Sequence, residues 1–248
     1  MNWLKKYWLF LFVSFAQGVK SEELVLVVGL TKPPYVIQYE NSGFEIELMR
    51  SVLATLDYEI SILYVPYGRT YETMQKMQAD IGLTLSDKMG VDSDILSLPY
   101  VSYQNVAVSL LKKSIKLHRL EDLQGFTVVA FQNARKVLGT AFATAVKTGP
   151  LYIELPEQRR QVELLLAGKV EVIVLDINIF KYFSKSITGA SQMEKVQVHS
   201  LFPSIQYRAA ISDPVLRKAF NRALSEYLNT AEYSKLMAKY DMTFTPQN

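Results

Sequence analysis

Asp176 is the residue whose surroundings point most clearly to chemistry in this 248-residue sequence. It directly follows residues 170–175, VEVIVL, a run of β-branched and apolar side chains that predicts a buried strand of a parallel sheet. Ligands of such sheets bind outside the carboxyl ends of the strands. A carboxylate at this position needs water in a cleft, a cation or backbone N–H groups as partners. Asp176 is therefore a candidate for binding a cationic ligand group, and an ordinary cap of the following helix is the alternative.

A second candidate is the segment 132–135, QNAR, which follows the predicted strand 127–131 and begins a predicted helix. The free N–H groups and the dipole of a helix start favour an anion, and Arg135 adds a full positive charge there. Arg135 and Asp176 would together hold the two ends of a zwitterionic or similarly polar small solute, while tyrosines pack against its apolar part.

Composition excludes several other kinds of site. The sequence has no cysteine and only two histidines, so we expect no thiol nucleophile, no disulfide and no metal site. The signatures GxSxG, HExxH and the P-loop are also absent from it, and we expect no catalytic residue and no cofactor. The formal net charge of +3 without a basic run argues against a nucleic-acid partner.

Residues 1–18 have the features of a signal peptide. Lys5 and Lys6 precede the short apolar run 9–16, and residues 16–18, AQG, form a small-x-small cleavage site, with 19–21 as an alternative. The apolar run is shorter than the roughly 20 residues that a membrane-spanning helix needs, and no later segment reaches that length. We expect the signal peptide to be cleaved and the mature protein to be exported to the periplasm, an uncleaved anchor being the alternative.

The order of the predicted elements repeats in the two halves of the chain. In each half, a proline precedes a helix with an apolar face, and a short turn then leads to an apolar strand that ends in polar residues. The two copies cover residues 66–88 and 156–176. Two similar strand-helix-strand halves predict two α/β lobes with similar wiring. The segments 96–100 and 106–111 are the expected crossing between the lobes.

The expected domain organisation follows from these elements. We expect residues 22–108 to form the first part of lobe 1 and residues 109–203 to form lobe 2. Residues 204–248 are expected to return to lobe 1 and to end in two helices. The first of these helices begins at Asp213-Pro214, a capping residue followed by proline at the first helical position.

Several motifs, taken in their order and spacing, resemble solute-binding protein family 3 of ABC transporters, the periplasmic binding proteins for polar amino acids and similar small solutes. The match covers nearly the whole chain after the signal peptide. The motifs that carry it are PPY at 33–35, GFEIEL at 43–48, AD and an apolar strand at 79–85, LPY at 98–100, LEDLQGFTVVAFQ at 120–132, LLLAGKVEVIVLD at 164–176 and YSKLMAKY at 233–240.

The resemblance implies an α/β, two-lobed periplasmic-binding-protein-like fold of type II, with two hinge strands and a ligand cleft between the lobes. It also implies, by position, that Asp176 matches the acid that holds the ammonium group of the ligand in amino-acid binders. The implied ligand-binding residues are Tyr35, Tyr67 and Thr84 in lobe 1, and Asn133, Arg135 and Asp176 in lobe 2.

One departure from the family concerns the carboxylate end of the ligand. Amino-acid binders usually have Thr or Ser followed a few residues later by an arginine, which clamps the ligand carboxylate through two hydrogen bonds. In the segment 84–90, TLSDKMG, Lys88 or Met89 stands where that arginine belongs. Arg69 and Arg135 are the expected substitutes, so Arg69 joins the predicted ligand-binding residues.

The sequence thus predicts a periplasmic solute-binding protein that captures a small polar, amino-acid-like or zwitterionic ligand between two closing lobes for an ABC transporter. The expected partners are this solute and a membrane permease or sensor, and the family implies a monomer. Two alternatives stay open. One is a periplasmic enzyme that resembles cyclohexadienyl or arogenate dehydratase, with Asp176 or Glu47 as its acid-base group. The other is a stand-alone sensory binding protein.

Overall fold

The computed structural model describes residues 22–66 and 68–243. The predicted signal peptide 1–18 and Tyr67 lie outside these residues. None of the helices described has the combination of length and hydrophobicity that crossing a bilayer requires.

The strands are β1 (Glu22–Gly29), β2 (Tyr58–Val65), β3 (Ile81–Leu85), β4 (Leu96–Tyr103), β5 (Asn105–Leu110), β6 (Thr127–Phe131), β7 (Leu151–Leu155), β8 (Val172–Asp176), β9 (Val196–His199) and β10 (Ile205–Ile211). The α-helices are α1 (Phe44–Ala54), α2 (Thr70–Met77), α3 (Ala134–Val137), α4 (Gly139–Lys147), α5 (Gln158–Leu166), α6 (Ile177–Thr188), α7 (Pro214–Tyr227) and α8 (Ala231–Lys239).

Each lobe is built on one five-stranded sheet, and the two sheets share one plan. The strand order is β2-β1-β3-β10-β4 in the first sheet and β7-β6-β8-β5-β9 in the second. The first three strands of each sheet are parallel, whereas β10 and β5 run antiparallel to their neighbours. All five residues of the central strand β8 are buried, which fits its unbroken apolar sequence. The predicted α/β, two-lobed fold is confirmed.

The chain changes from the first sheet to the second at Gln104. β4 ends in the first sheet at Tyr103, and β5 begins at Asn105, where it pairs with β8 and β9. The change of sheet thus falls between the two segments expected to cross, 96–100 and 106–111, and slightly before the expected lobe boundary after residue 108. The two residues at the change of sheet, Gln104 and Asn105, are polar, whereas the following residues 106–110 are all buried. The chain returns to the first sheet between β9 and β10.

The largest buried cluster passes through both lobes. It joins the apolar face of α1 to the inward side chains of β1 and β4, and it continues through β5, β8 and the start of α6. Smaller clusters fill the remaining side of each sheet. Burying a large aliphatic or aromatic side chain contributes about 1.5–3 kcal/mol to the stability of the fold. The crossing at Gln104 is thus embedded in continuous apolar packing.

Gly43, the residue before α1, is fixed by its close approach to the loop after β1. Its φ is +116°, and a Cβ at this position would overlap the carbonyl group of Tyr35 and the Cα of Val36. We expect Gly43→Ala to lower the free energy of unfolding by about 3 kcal/mol or more, because backbone strain and steric overlap add together. Urea unfolding measures this loss.

Gly90→Ala is the matched control for that change. Gly90 also has a positive φ, +78°, but no atom lies within 4 Å of its added Cβ. The control should therefore lose only about 1–2 kcal/mol, the cost of the left-handed conformation alone. Equal losses in the two variants would contradict the steric role of Gly43.

Candidate ligand-binding cleft

A cavity of about 450 Å³, here called the central cavity, lies between the two lobes. Its volume is within the range of small-molecule binding sites. Among its described lining residues, Lys32 is the one cationic side chain and Asp176 the one anionic side chain. Lobe 1 contributes Gly29, Leu30, Thr31, Lys32, Val36, Pro66, Gly68, Thr70, Thr84, Met89, Tyr103 and Tyr207, and lobe 2 contributes Asn105, Phe131, Gln132, Val137, Pro156, Gln158, Asp176 and Ile179.

Asp176 joins three parts of the molecule through one buried carboxylate. Its Oδ1 accepts hydrogen bonds from the Tyr35 hydroxyl at 2.9 Å and from the backbone N–H groups of Asn178 and Ile179 at 2.9 and 3.2 Å. Its Oδ2 accepts one from the backbone N–H of Gln104 at 2.8 Å. Burial raises the pKa of Asp176 to about 6, although these hydrogen bonds oppose the shift. The residue is therefore both the cap of α6 and a link between the lobes.

The start of α6 is also bound to the C-terminal segment. The side-chain amide of Asn178 donates to the Tyr35 hydroxyl at 3.1 Å, and its Oδ1 accepts from the backbone N–H and the hydroxyl of Thr243 at 3.1 and 2.9 Å. One turn further along, the Lys181 ammonium lies 2.7 Å from the Asp241 carboxylate. These contacts connect lobe 2 to lobe 1 beside the crossing strands.

Glu45 forms a second buried carboxylate, on the lobe 1 side of the cavity. Its side chain is fully buried and accepts hydrogen bonds from the hydroxyl groups of Tyr100, Tyr103 and Thr84, the last two at 2.6 and 2.7 Å. The pKa values of Tyr100 and Tyr103 are raised well above the ordinary tyrosine value. Burial is the main cause, and the negative charge of Glu45 is the second. Both tyrosines therefore stay protonated as donors. The Tyr100 hydroxyl also accepts from the backbone N–H of Thr84 at 2.9 Å, so Tyr100 and Glu45 together hold Thr84, which has a φ of +57°, near the end of β3.

Lys32 lies over a stack of two tyrosine rings. Its Nζ is 4.3 Å from the ring centroid of Tyr103, and the rings of Tyr103 and Tyr35 stack with centroids 4.0 Å apart. Burial lowers the pKa of Lys32, while the carboxylates of Glu45 and Asp176 oppose that shift. The lysine thus lies at the wall of the cavity, within electrostatic reach of two carboxylates.

The structure brings together three of the predicted binding residues. Asp176 and Thr84 line the central cavity. Tyr35 is fully buried behind it and acts through its hydroxyl on Asp176. Tyr67 lies outside the described part of the chain.

The other three predicted binding residues are not part of the lining of the central cavity. Arg69 is mostly exposed and pairs with Glu72 at 2.5 Å. The backbone N–H groups of Asn133 and Arg135 donate to the Glu154 carboxylate at 2.8 and 3.1 Å, and the Arg135 guanidinium pairs with the same carboxylate at 3.4 Å. The helix start therefore does hold an anion, but that anion is a side chain of the neighbouring strand β7.

Glu47, the alternative acid-base residue, also lies elsewhere. Its carboxylate pairs with the Lys239 ammonium at 2.7 Å and accepts from the Tyr240 hydroxyl at 2.5 Å. These contacts bind α1 to α8 within lobe 1. They give Glu47 a structural role in place of the acid-base role considered above.

Sequence reasoning missed Lys32 and Glu45. The signal for Lys32 was its position in TKPPY, directly after β1 and before two prolines, where the carboxyl end of a parallel strand meets a stiff turn. Glu45 had no comparable signal, because it stands in the first turn of α1, where acidic residues are ordinarily exposed.

A sequence profile of the bacterial extracellular solute-binding proteins, family 3, matches residues 24–243. No sequence among the curated proteins matches the chain. Similar folds occur in several solved structures, all below 25% identity. An amino acid ABC transporter substrate-binding protein from Streptococcus pneumoniae, bound to L-arginine, has 18% identity and a TM-score of 0.63, covering 88% of this chain and 94% of its own.

The chain is similar to two further solved structures. An ancestral amino acid-binding protein that is a precursor of cyclohexadienyl dehydratase has 18% identity and a TM-score of 0.67, with 88% of this chain and 94% of that chain covered. A histidine kinase sensor domain with similarity to periplasmic binding proteins also has 18% identity and a TM-score of 0.67, with 89% and 96% covered. These similarities show the fold.

The raised pKa of Asp176 predicts how stability depends on pH. An aspartate in an unfolded chain titrates near pH 3.9, whereas folded Asp176 titrates at about 6. Between these values the folded state keeps a proton that the unfolded state has released, so its free energy of unfolding falls as the pH rises from about 4 to about 6. The loss amounts to at most about 3 kcal/mol.

Urea unfolding of the wild type and of Asp176→Asn across this pH range measures the change in the free energy of unfolding. Wild type should lose stability relative to the variant as the pH rises. Asp213→Asn is the matched control, because Asp213 also caps a helix through two backbone N–H groups but lies exposed. The same pH trend in both variants would contradict the assignment to Asp176.

Proposed function

The chain belongs to the bacterial extracellular solute-binding proteins, family 3, and we propose that it captures a small polar, amino-acid-like solute between its lobes and delivers it from the periplasm to a membrane ABC transporter. The observation that carries this proposal is the central cavity. Both lobes line it, and its described lining contains one cationic and one anionic side chain. A zwitterion complements both charges, and a site of this volume suits a small solute.

Lys32 is the proposed partner of the ligand's carboxylate. It replaces the arginine that the family usually provides after β3, where this chain has Lys88 and Met89. Met89 contributes apolar lining to the cavity. The Lys32 ammonium has three N–H donors. Its cation–π contact with the Tyr103 ring restricts its position. It can therefore hold an anion without a bidentate clamp.

Asp176 is the proposed partner of the ligand's ammonium group. A carboxylate offers about four lone-pair sites on two oxygens. Its Oδ1 already accepts three hydrogen bonds, whereas Oδ2 accepts one, from Gln104. Oδ2 therefore has room for a further donor. Thr84 adds a hydroxyl from lobe 1 to the lining of the same cavity.

Closure of the lobes is the proposed signal to the membrane partner. The contacts of Tyr35 with Asp176 and of Lys181 with Asp241 join the lobes near the crossing strands, so a ligand that bridges Lys32 and Asp176 favours approach of the lobes across the cavity. The closed form then presents a surface that a permease distinguishes from the open form.

A thermal-shift screen against the amino acids, polyamines and small carboxylates tests the proposal. A ligand at a hundredfold excess over its Kd stabilises the folded protein by about 2.7 kcal/mol, which raises the Tm of a chain of this size by roughly 5–10 °C. At least one zwitterionic or amino-acid-like compound should produce such a shift. A screen in which none does so would contradict the proposed function.

Lys32→Met tests the assignment of the anion site. Loss of a charge-assisted contact costs roughly 1.5–3 kcal/mol, so the Kd of the compound found in the screen should rise about tenfold to a hundredfold. Isothermal titration calorimetry measures the Kd, and the Tm without ligand shows whether the variant is folded.

Lys88→Met, Arg69→Gln and Arg135→Gln are the matched controls. Each removes one of the cations considered from the sequence as a replacement for the missing arginine, and none of these residues lines the central cavity. Their Kd values should equal that of wild type. An unchanged Kd in Lys32→Met, or a larger loss in one of the controls, would assign the anion site elsewhere.

A further inference from the structure

A second space between the lobes, here called the outer groove, adjoins the central cavity. Its volume is about 530 Å³. The two spaces share one wall, formed by Thr31, Lys32, Pro156, Gln158 and Ile179. A ligand held by Lys32 therefore lies at the boundary between them and can extend into both.

The outer groove has an aromatic wall on the lobe 2 side. Ile179, Tyr182 and Phe183 lie on one face of α6, and the rings of Tyr182 and Phe183 meet edge to face with centroids 5.4 Å apart. Lobe 1 contributes Pro33 and Tyr39. Aromatic walls of this kind favour a planar or aliphatic group over a hydrated one.

The far side of the outer groove carries a second cation, Arg159, at the start of α5. Its Nε lies 3.2 Å from the Glu163 carboxylate, and its Nη1 donates to the Ser186 hydroxyl at 3.1 Å. A guanidinium has five N–H donors, so further donors remain for a carboxylate. Including Lys32, the described lining of the groove has two cations and one acid, Glu157.

Each space alone has the volume of a small-ligand pocket, and a single amino acid occupies only one of them. On the basis of the proposed function, we infer that the ligand is an elongated amino-acid derivative of dipeptide size. One end lies in the central cavity. An apolar or aromatic arm with a terminal carboxylate lies in the outer groove, against Tyr182 and Arg159.

Calorimetric titration of the wild-type protein with four probes tests this ligand class. The probes are L-alanine, L-phenylalanine, the dipeptide Ala-Phe and its C-terminal amide. Ala-Phe should bind at least tenfold more tightly than either single amino acid, and about tenfold more tightly than its amide. Binding of a single amino acid as tight as that of Ala-Phe, or no binding of Ala-Phe, would overturn the inference.

Arg159→Gln and Arg160→Gln form a matched pair for the carboxylate contact. Both arginines pair with Glu163, but only Arg159 lines the outer groove. Arg159→Gln should weaken binding of Ala-Phe about tenfold and leave binding of the amide unchanged, whereas Arg160→Gln should change neither. Equal effects of the two substitutions would overturn the role of Arg159.

Tyr182→Ala and Tyr182→Phe test the aromatic wall in the same way. Tyr182→Ala should weaken the binding of Ala-Phe about tenfold. Tyr182→Phe keeps the ring and should bind Ala-Phe with wild-type affinity. An unchanged Kd in Tyr182→Ala would overturn this part of the inference, provided that the Tm without ligand shows the variant to be folded.

The outcomes separate this inference from the proposed function. If single amino acids bind in a Lys32-dependent manner and Ala-Phe has no advantage, the outer groove is only the mouth of the cleft, and the proposed function stands. If neither Ala-Phe nor any compound in the screen binds, the proposed function itself fails.

Discussion

A buried carboxylate must find hydrogen-bond donors in its surroundings, and this constraint at Asp176 organises the centre of the molecule. An ionised carboxyl group without partners would cost several kcal/mol at such a site. The donors come from the loop after β1, from the crossing residue Gln104 and from the first turn of α6. Three features therefore depend on one another: the position of the crossing, the start of α6 and the position of the Tyr35 side chain.

Glu45 imposes the same constraint on lobe 1 and is satisfied differently, by three side-chain hydroxyl groups. Tyr103 serves both carboxylates, since its hydroxyl binds Glu45 and its ring stacks on Tyr35, the partner of Asp176. Lys32 lies over this stack. Two carboxyl groups and one ammonium group thus lie close together around one pair of stacked tyrosine rings.

The sequence was sufficient for the fold because the signals were local and repeated. Runs such as residues 170–175 define buried strands, and their regular alternation with amphipathic helices defines α/β lobes. Asp176 was found for the same reason, as the first polar residue after such a strand. The lobe boundary was placed after residue 108, inside β5, because the sequence of this largely apolar strand does not show which sheet it joins; only its pairing with β8 and β9 reveals this.

The candidate site was predicted less well because its groups converge from distant parts of the chain. At Arg135 the chemistry of the helix start was right, but the anion that it binds is Glu154, a residue of the adjacent strand β7. Nothing in the segment 132–135 shows this pairing. Glu45 likewise needs Tyr100, Tyr103 and Thr84 as neighbours to be recognised as buried.

The insertion of β10 between β3 and β4 has a consequence for biosynthesis. Lobe 2 is one continuous stretch from β5 to β9, so all of its strands are synthesised before β10. The first sheet, in contrast, is complete only when Arg208 meets Leu85 and Pro99, and this long-range closure carries the entropic cost of the intervening loop. Until β10 pairs with them, β3 and β4 each have an unpaired edge that another strand or chain can bind.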